Sequence, residues 1–381
     1  MFFSSKKGEL RLILDVQSSI VRGTLVLVRP EVAPHVIFTH SVVIPYKQDA
    51  RSGYLVKMAL EAIQEILAEA GAHARARAKV EDVPRTFCEV HYVLASPWVV
   101  SQAKMLSFSF KDNTLISQTF IERLISDERN KMTTDSKEIR VIEEKVFDVR
   151  MNGYSIVAWV GRRTKELEVS FVSSIAGSRM VERFIDVCSR SVGTKHVYFH
   201  SSLFLQHLGI QEVIRDHSSY ALVHIHGELT DVAIVHANSC QFFGSYPLGV
   251  HTIVRTIARE SGIDELSAES LLTTHISGNL DPHFGKKEST LIATLGESWT
   301  TEFKKLIETG SSIEKLPHHI IISAHSHESF FVDSFKLTYP QVTIDMLGMD
   351  EVAHRVTYDI HAKKLVLASL YILAIHTLEK K

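Results

Sequence analysis

Two stretches of the chain, residues 10–46 and 220–250, repeat one pattern of three consecutive apolar strands. In the first, Leu12-Ile13-Leu14-Asp15-Val16-Gln17-Ser18-Ser19 runs into residues 23–28 and then 36–38 and 42–44. In the second, Tyr220-Ala221-Leu222-Val223-His224-Ile225-His226-Gly227-Glu228 runs into residues 231–235 and then 240–243. An acid or a histidine closes each first strand, and each unit is followed by a helical stretch and a further strand. Duplicated three-strand units with crossover helices imply an α/β fold of two similar halves facing a cleft.

At 381 residues, 45% hydrophobic and 23% charged, the chain has the composition of a soluble globular protein with room for two domains. A net charge of −2 gives no whole-chain attraction to nucleic acid, although residues 73–85 are locally basic. Cys88, Cys188 and Cys240 lie far apart with no CxxC spacing and read as buried reduced thiols of a cytoplasmic protein. Residues 1–7 have no apolar core of a secretory signal. The most apolar run, residues 365–375, is half the roughly twenty residues a spanning helix needs and reads as a buried final helix.

Apolar spacing predicts a helix over 54–70 and a strand over 87–95, stopped by Pro97. Residues 101–195 change character, with expected helices at 113–129 and 177–191 and strands at 141–151, 155–160 and 166–172. Asn152-Gly153 is a hairpin-turn pair. Helices at 252–261, 266–274 and 289–308, strands at 318–323 and 342–347 and the final helix complete the chain. The expected division is a first half at 1–100, an inserted α+β subdomain at 101–195, a second half at 196–345 and a C-terminal segment at 346–381 returning to the first half.

In such a fold the hairpin after each first strand can aim backbone N–H groups at a phosphate, while an acid there holds a hydrated cation. Asp15-Val16-Gln17-Ser18-Ser19 has that form. The same residues also read as an Asp closing a strand above a serine turn, and local sequence leaves both readings open.

These motifs resemble those of the actin-like ATPases, within them the bacterial FtsA and PilM group. The first phosphate motif of that family is similar to Asp15-Val16-Gln17-Ser18-Ser19. The second is similar to Val223-His224-Ile225-His226-Gly227-Glu228-Leu229-Thr230-Asp231-Val232-Ala233, and a following turn to Pro247-Leu248-Gly249. The resemblance spans nearly the whole chain. It implies a duplicated ribonuclease H-like fold with a strand-helix-strand-strand subdomain inserted at 101–195. It also implies ATP with magnesium as the ligand of Asp15, Gln17, Ser18, Ser19, Gly227, Glu228, Thr230, Asp231 and Gly249.

The departures fall on the chemistry. His224 stands where the family has its second acid, and Gln17 and His226 stand where it has glycines. A neutral imidazole does not anchor a magnesium-bound water as a carboxylate does. The family's lysine segment resembles Ala268-Glu269-Ser270-Leu271-Leu272, without the cation, and its adenosine loop is replaced by Ser323-Ala324-His325-Ser326-His327. Glycine serves there by close backbone approach and positive φ. ATP binding is therefore expected to be weak, and the readings in order of preference are a non-binding scaffold, a binder without turnover and a competent ATPase.

His224 and His226, with His325 and His327, also form HxH pairs of the kind that bind zinc, beside the plainer reading of a hydrogen-bonded cleft lining. The resemblance to the PilM type implies a cytoplasmic scaffold of a membrane-associated machine such as the type IV pilus, held at the inner membrane face by a cytoplasmic segment of a membrane partner. The FtsA-like alternative implies a self-associating division scaffold. A small-molecule kinase of the same superfold is the third reading, although neither its acidic base nor its phosphate-binding glycine loop is evident. A paired strand region at 146–149 and a helix at 180–189 are the candidates for a peptide groove, or simply for the insert's own core.

Overall fold

The computed structural model describes residues 8–47, 53–133, 138–194, 196–214, 217–279, 286–310, 315–324 and 326–380. The N-terminal segment 1–7 and His325, both considered above, lie outside them. The first half opens with β1 (Glu9–Val16), β2 (Ile20–Val28) and β3 (His35–Val43) as an antiparallel meander. After α1 (Tyr54–Arg77), β4 (Glu89–Leu94) adds parallel to β1. Strand side chains alternate between faces, so Leu10, Leu12, Leu14 and Val16 pack on Ile63 and Ile66 of α1, while Ile13 points into a second core. With both faces covered, the strand reads as a continuous apolar run rather than an alternating one.

The insert is β5 (Val100–Leu115), α2 (Gln118–Thr133), β6 (Ile139–Met151), β7 (Tyr154–Ser155) and β8 (Arg163–Gly177), in a four-stranded antiparallel sheet ordered β5-β8-β6-β7. Ile121 and Ile125 of α2 pack on Val149, Leu167 and Phe171. This is the strand-helix-strand-strand unit that the resemblance implies, and it corrects the pattern-based order in two places. Asn113, expected to open a helix, lies in β5, whose alternation at Leu106, Phe108 and Phe110 is a strand period. Of the strand expected at 155–160 only Ser155 is in a strand, the two-residue β7 that follows the Asn152-Gly153 turn, both turn residues being at positive φ.

Next, α3 (Ser178–Val192) leaves the insert and packs with α1, placing Val181, Phe184, Val187 and Cys188 in the first core. The helix considered at 180–189 as a groove wall is thus largely core. β9 (Val197–Ser201) extends the first sheet beside β4, and α4 (Ser202–Val213) crosses to the second half. There β10 (Tyr220–Ile225), β11 (Thr230–His236) and β12 (Ser239–Tyr246) repeat the meander. They are followed by α5 (Val250–Ser261), α6 (Glu265–Ile276), α7 (Lys286–Gly310), β13 (His319–Ala324), α8 (Glu328–Thr338) and β14 (Thr343–Met346). The short α9 (Met349–Val352) and β15 (Thr357–Tyr358), on the far edge of the first sheet, precede α10 (Val366–Lys380).

The second sheet is ordered β12-β11-β10-β13-β14, and the first carries β3-β2-β1-β4-β9 in the same order, with β15 added at its edge. The sequence repeat is therefore a repeat of topology. α4 and α10 pack between the halves in one apolar core that takes Ile13 and Val93 from the first sheet and Leu222 and Ile321 from the second. Each such fully buried aliphatic contributes about 1.5–3 kcal/mol, so the halves are joined by a core and not by a loose hinge. Cys188 and Cys240 are buried, but Cys88 is exposed, because it precedes β4 instead of lying inside it. Among the described residues no helix is long and apolar enough to cross a membrane.

Candidate functional site

Asp15 closes β1 with Arg22 directly opposite on β2. Arg22 Nη1 donates to Asp15 Oδ2 at 3.1 Å and Gln17 Nε2 donates to the same oxygen at 2.9 Å. Burial pushes the Asp15 carboxyl above its ordinary range, against the pull of Arg22 and His226. The acid that the motif places for a hydrated cation is thus engaged by the protein's own donors.

His224 occupies the matching place on β10, opposite Asp231 on β11. Its Nδ1 lies 2.7 Å from Ser323 Oγ, and its Nε2 lies 3.5 Å from the Gln17 amide nitrogen. His226 Nε2 lies 2.8 Å from Asp231 Oδ2, an oxygen that also accepts from the Ser96 backbone N–H at 3.2 Å. The two imidazoles meet edge to face, with centroids 4.3 Å apart, and both are buried. This is the hydrogen-bonded cleft lining rather than an open HxH ligand pair.

The two hairpin loops touch. Glu228 N donates to Ser18 Oγ at 3.2 Å, and a Cβ on Gly227 would stand 2.1 Å from Ser19 Oγ. Gly249 is needed for the same reason, since a Cβ there would lie 2.5 Å from the carbonyl oxygens of both His226 and Gly227. Those carbonyls accept from the first backbone N–H groups of α5, Val250 at 2.9 Å and His251 at 2.8 Å. A helix N-terminus is a ready anion site when such groups are free, and here they are consumed by the second hairpin.

Glu228 is held by both guanidinium nitrogens of Arg255, at 2.9 and 2.5 Å, and the Arg255 guanidinium lies 3.7 Å over the Tyr46 ring of the first half. Burial works against its carboxylate, but hydrogen bonds from His251 and Arg255 outweigh it and hold the pKa at about 2. Thr230 faces the core, donating to Leu248 O at 2.6 Å and accepting from Trp299 Nε1 at 3.0 Å. On the side where the adenosine loop is expected, His327 adopts the left-handed conformation at φ 54° that would favour glycine. Its Nε2 lies 3.1 Å from Thr273 Oγ1 of α6, closing the turn onto the helical unit.

Beside these loops remains a cavity of about 350 Å³, walled by Asp15, Gln17, Gln206, His224, Leu370 and Tyr371 among others. Asp15 Oδ1, Gln17 Oε1 and Gln206 Oε1 are acceptors with no donor among the described residues. Acceptors of this kind repel phosphate oxygens, although Arg22, Lys363 and Lys364 line the same cavity. The residues fit a magnesium nucleotide poorly: the loops abut, the helix N–H groups are used, one acid is paired and the other is an imidazole.

Structure therefore gathers Asp15, Gln17, Ser18, Ser19, Gly227, Glu228, Asp231 and Gly249 at the junction of the halves, and turns Thr230 away into the core. Arg22, Gln206 and Arg255 were not singled out from sequence. Arg22 was findable, because a three-residue loop between Val16 and Ile20 sets it opposite Asp15. Gln206 belongs to α4, which has no polar stripe to mark it, since nearly every residue from Ser202 to Ile210 is buried.

No protein-family model and no curated protein matches the sequence. Among solved structures, a chain of the PilM-PilN type IV pilus biogenesis complex aligns over 96% of this chain and 98% of its own, with a TM-score of 0.66 at 14% identity. The ethanolamine utilization protein EutJ from Carboxydothermus hydrogenoformans aligns over 97% of this chain and 91% of its own, at TM-score 0.48 and 12% identity. A Bacteroides thetaiotaomicron protein with actin-like ATPase fold and unknown function aligns over 97% and 98%, at TM-score 0.40 and 9% identity. The chain has an actin-like fold, and it shares that fold along nearly its whole length with a component of the PilM-PilN complex.

Proposed function

We propose that this chain is an actin-like scaffold protein of PilM type, serving a membrane-associated machine such as the type IV pilus, with weak or lost ATP binding. The observation that supports this reading is the seating of Gly227 against Ser19, which brings the two phosphate-type hairpins into direct contact. The insert between β4 and α3 argues against a small-molecule kinase, and the two acids at the hairpin strands are engaged, Asp15 by Arg22 and Gln17 and Asp231 by His226. The partner in this reading is a cytoplasmic segment of a membrane protein, in the manner that PilN accompanies PilM, and the chain is peripheral to the inner face of the membrane through it.

Crosslinking and co-purification of the full chain from its source cell tests the proposal. Enrichment of a pilus-assembly membrane protein is the expected result. Enrichment of division proteins instead would transfer the scaffold to the FtsA-like role, and enrichment of neither, with the bait intact and expressed at native level, would overturn both.

A further inference from the structure

We propose that His217, His319 and Asp345 form a zinc-binding site on the second half, independent of the junction between the halves and of the scaffold reading. The three residues come from separate segments: the approach to β10, the first residue of β13 and the edge strand β14. Their ligand atoms all lie within 4.8 Å of one another. One carboxylate oxygen faces both imidazoles, with Asp345 Oδ2 at 3.2 Å from His319 Nδ1 and 3.8 Å from His217 Nε2. Tetrahedral zinc with bonds of about 2.0–2.1 Å sets its ligand atoms roughly 3.3 Å apart, so the two measured edges bracket what the ion requires. The two imidazole rings stack at 3.8 Å between centroids with their planes 26° apart, so one ring turns out of the stack when both nitrogens bind a shared ion.

The side chains are 26%, 29% and 31% exposed, so an ion can reach them and a water can complete the coordination. Two imidazoles and a carboxylate are a donor set for zinc rather than for magnesium or calcium, which take oxygen ligands. The other comparable group among the described residues, Glu89, His91 and Glu379, lacks this opening. There Arg11 reaches Glu89 at 3.2 Å and Glu379 at 2.5 Å, so a guanidinium already supplies the positive charge. Backbone register places the proposed site at the start of β10, with Tyr220 paired to His319. It is thus separated from the hairpin loops by the length of that strand, roughly 17–20 Å. A zinc there would pin β14, which pairs on one side only, to the two strands before it.

The test uses the metal-stripped full chain titrated with zinc, and separately with cobalt as a spectroscopic stand-in. Expected are one saturable equivalent, a cobalt visible spectrum of nitrogen-oxygen coordination and a rise in melting temperature with free zinc. His319→Asn and Asp345→Asn should each weaken binding at least about tenfold, whereas His40→Ala, a surface imidazole beside Glu65, should leave it unchanged. Absence of saturable binding in the wild-type chain overturns the site whatever the variants do. An equivalent that persists in both variants, with native circular dichroism, also overturns it by placing the ion on other histidines.

Discussion

Gly227 and Ser19 are in direct contact across the two halves, so closely that a single added carbon on Gly227 would fall 2.1 Å from the serine hydroxyl and 2.4 Å from its Cβ. Both atoms sit on hairpins with little room to retreat. Gly227→Ala should therefore destabilise the fold by roughly 3 kcal/mol, as overpacking of a dense contact does. Ser19→Gly in the same chain should restore most of that, and denaturant unfolding of the two single variants and the double variant measures the coupling. Strictly additive effects would show that the contact does not join the halves.

The Glu228 carboxylate, held at about 2 by His251 and Arg255, makes an acid-limb prediction. A carboxyl whose folded pKa is depressed stabilises the fold above its unfolded pKa, and the contribution disappears as pH falls from about 4.5 toward 2. The gap corresponds to roughly 3 kcal/mol at most. Glu228→Gln should lose stability at neutral pH and flatten the decline between pH 4.5 and 2, as followed by urea unfolding across that range.

Thr230 illustrates a motif residue put to structural use. Removing its hydroxyl leaves the Trp299 indole N–H without its acceptor, inside a fully buried cluster. Thr230→Val should cost about 1–3 kcal/mol, and Thr230→Ser should cost much less because the hydroxyl stays. Equal losses in the two variants would mean that methyl packing and not the hydrogen bond holds the position.

The β11–β12 hairpin turns on Ala237 and Asn238, at φ 49° and 62°. That is the two-residue turn in which glycine and asparagine are favoured, and alanine in the left-handed region carries about 1–2 kcal/mol of steric strain. Part of any relief is lost to the greater freedom of glycine in the unfolded chain. Ala237→Gly should raise stability by about 0.5–1 kcal/mol, and a fall in the denaturation midpoint would contradict this.

Much of the fold was legible because the repeat is carried by buried strands. Leu12, Leu14 and Val16 recur in Leu222 to Ile225, and equal strand order in the two sheets follows from them. Sequence pattern assigns no element to 101–112, although Ser107 and Ser109 between Leu106, Phe108 and Phe110 carry the strand alternation of β5. α4 escapes the pattern because it is buried all round. At the junction the substitutions His224, His226 and Gln17 were visible, but what they do was not. Only the fold brings His226 to Asp231 and Gln17 to Asp15, which turns three apparent defects into a closed hydrogen-bonded seam.

The most direct test of the central claim is calorimetric titration of the full chain with ATP and magnesium, beside thermal melts in 1 mM nucleotide. The account predicts no saturable heat and no shift in melting temperature. A dissociation constant near 10 μM would stabilise the fold by about 2.7 kcal/mol at that concentration, and a magnesium-dependent shift of that size would contradict the closed junction.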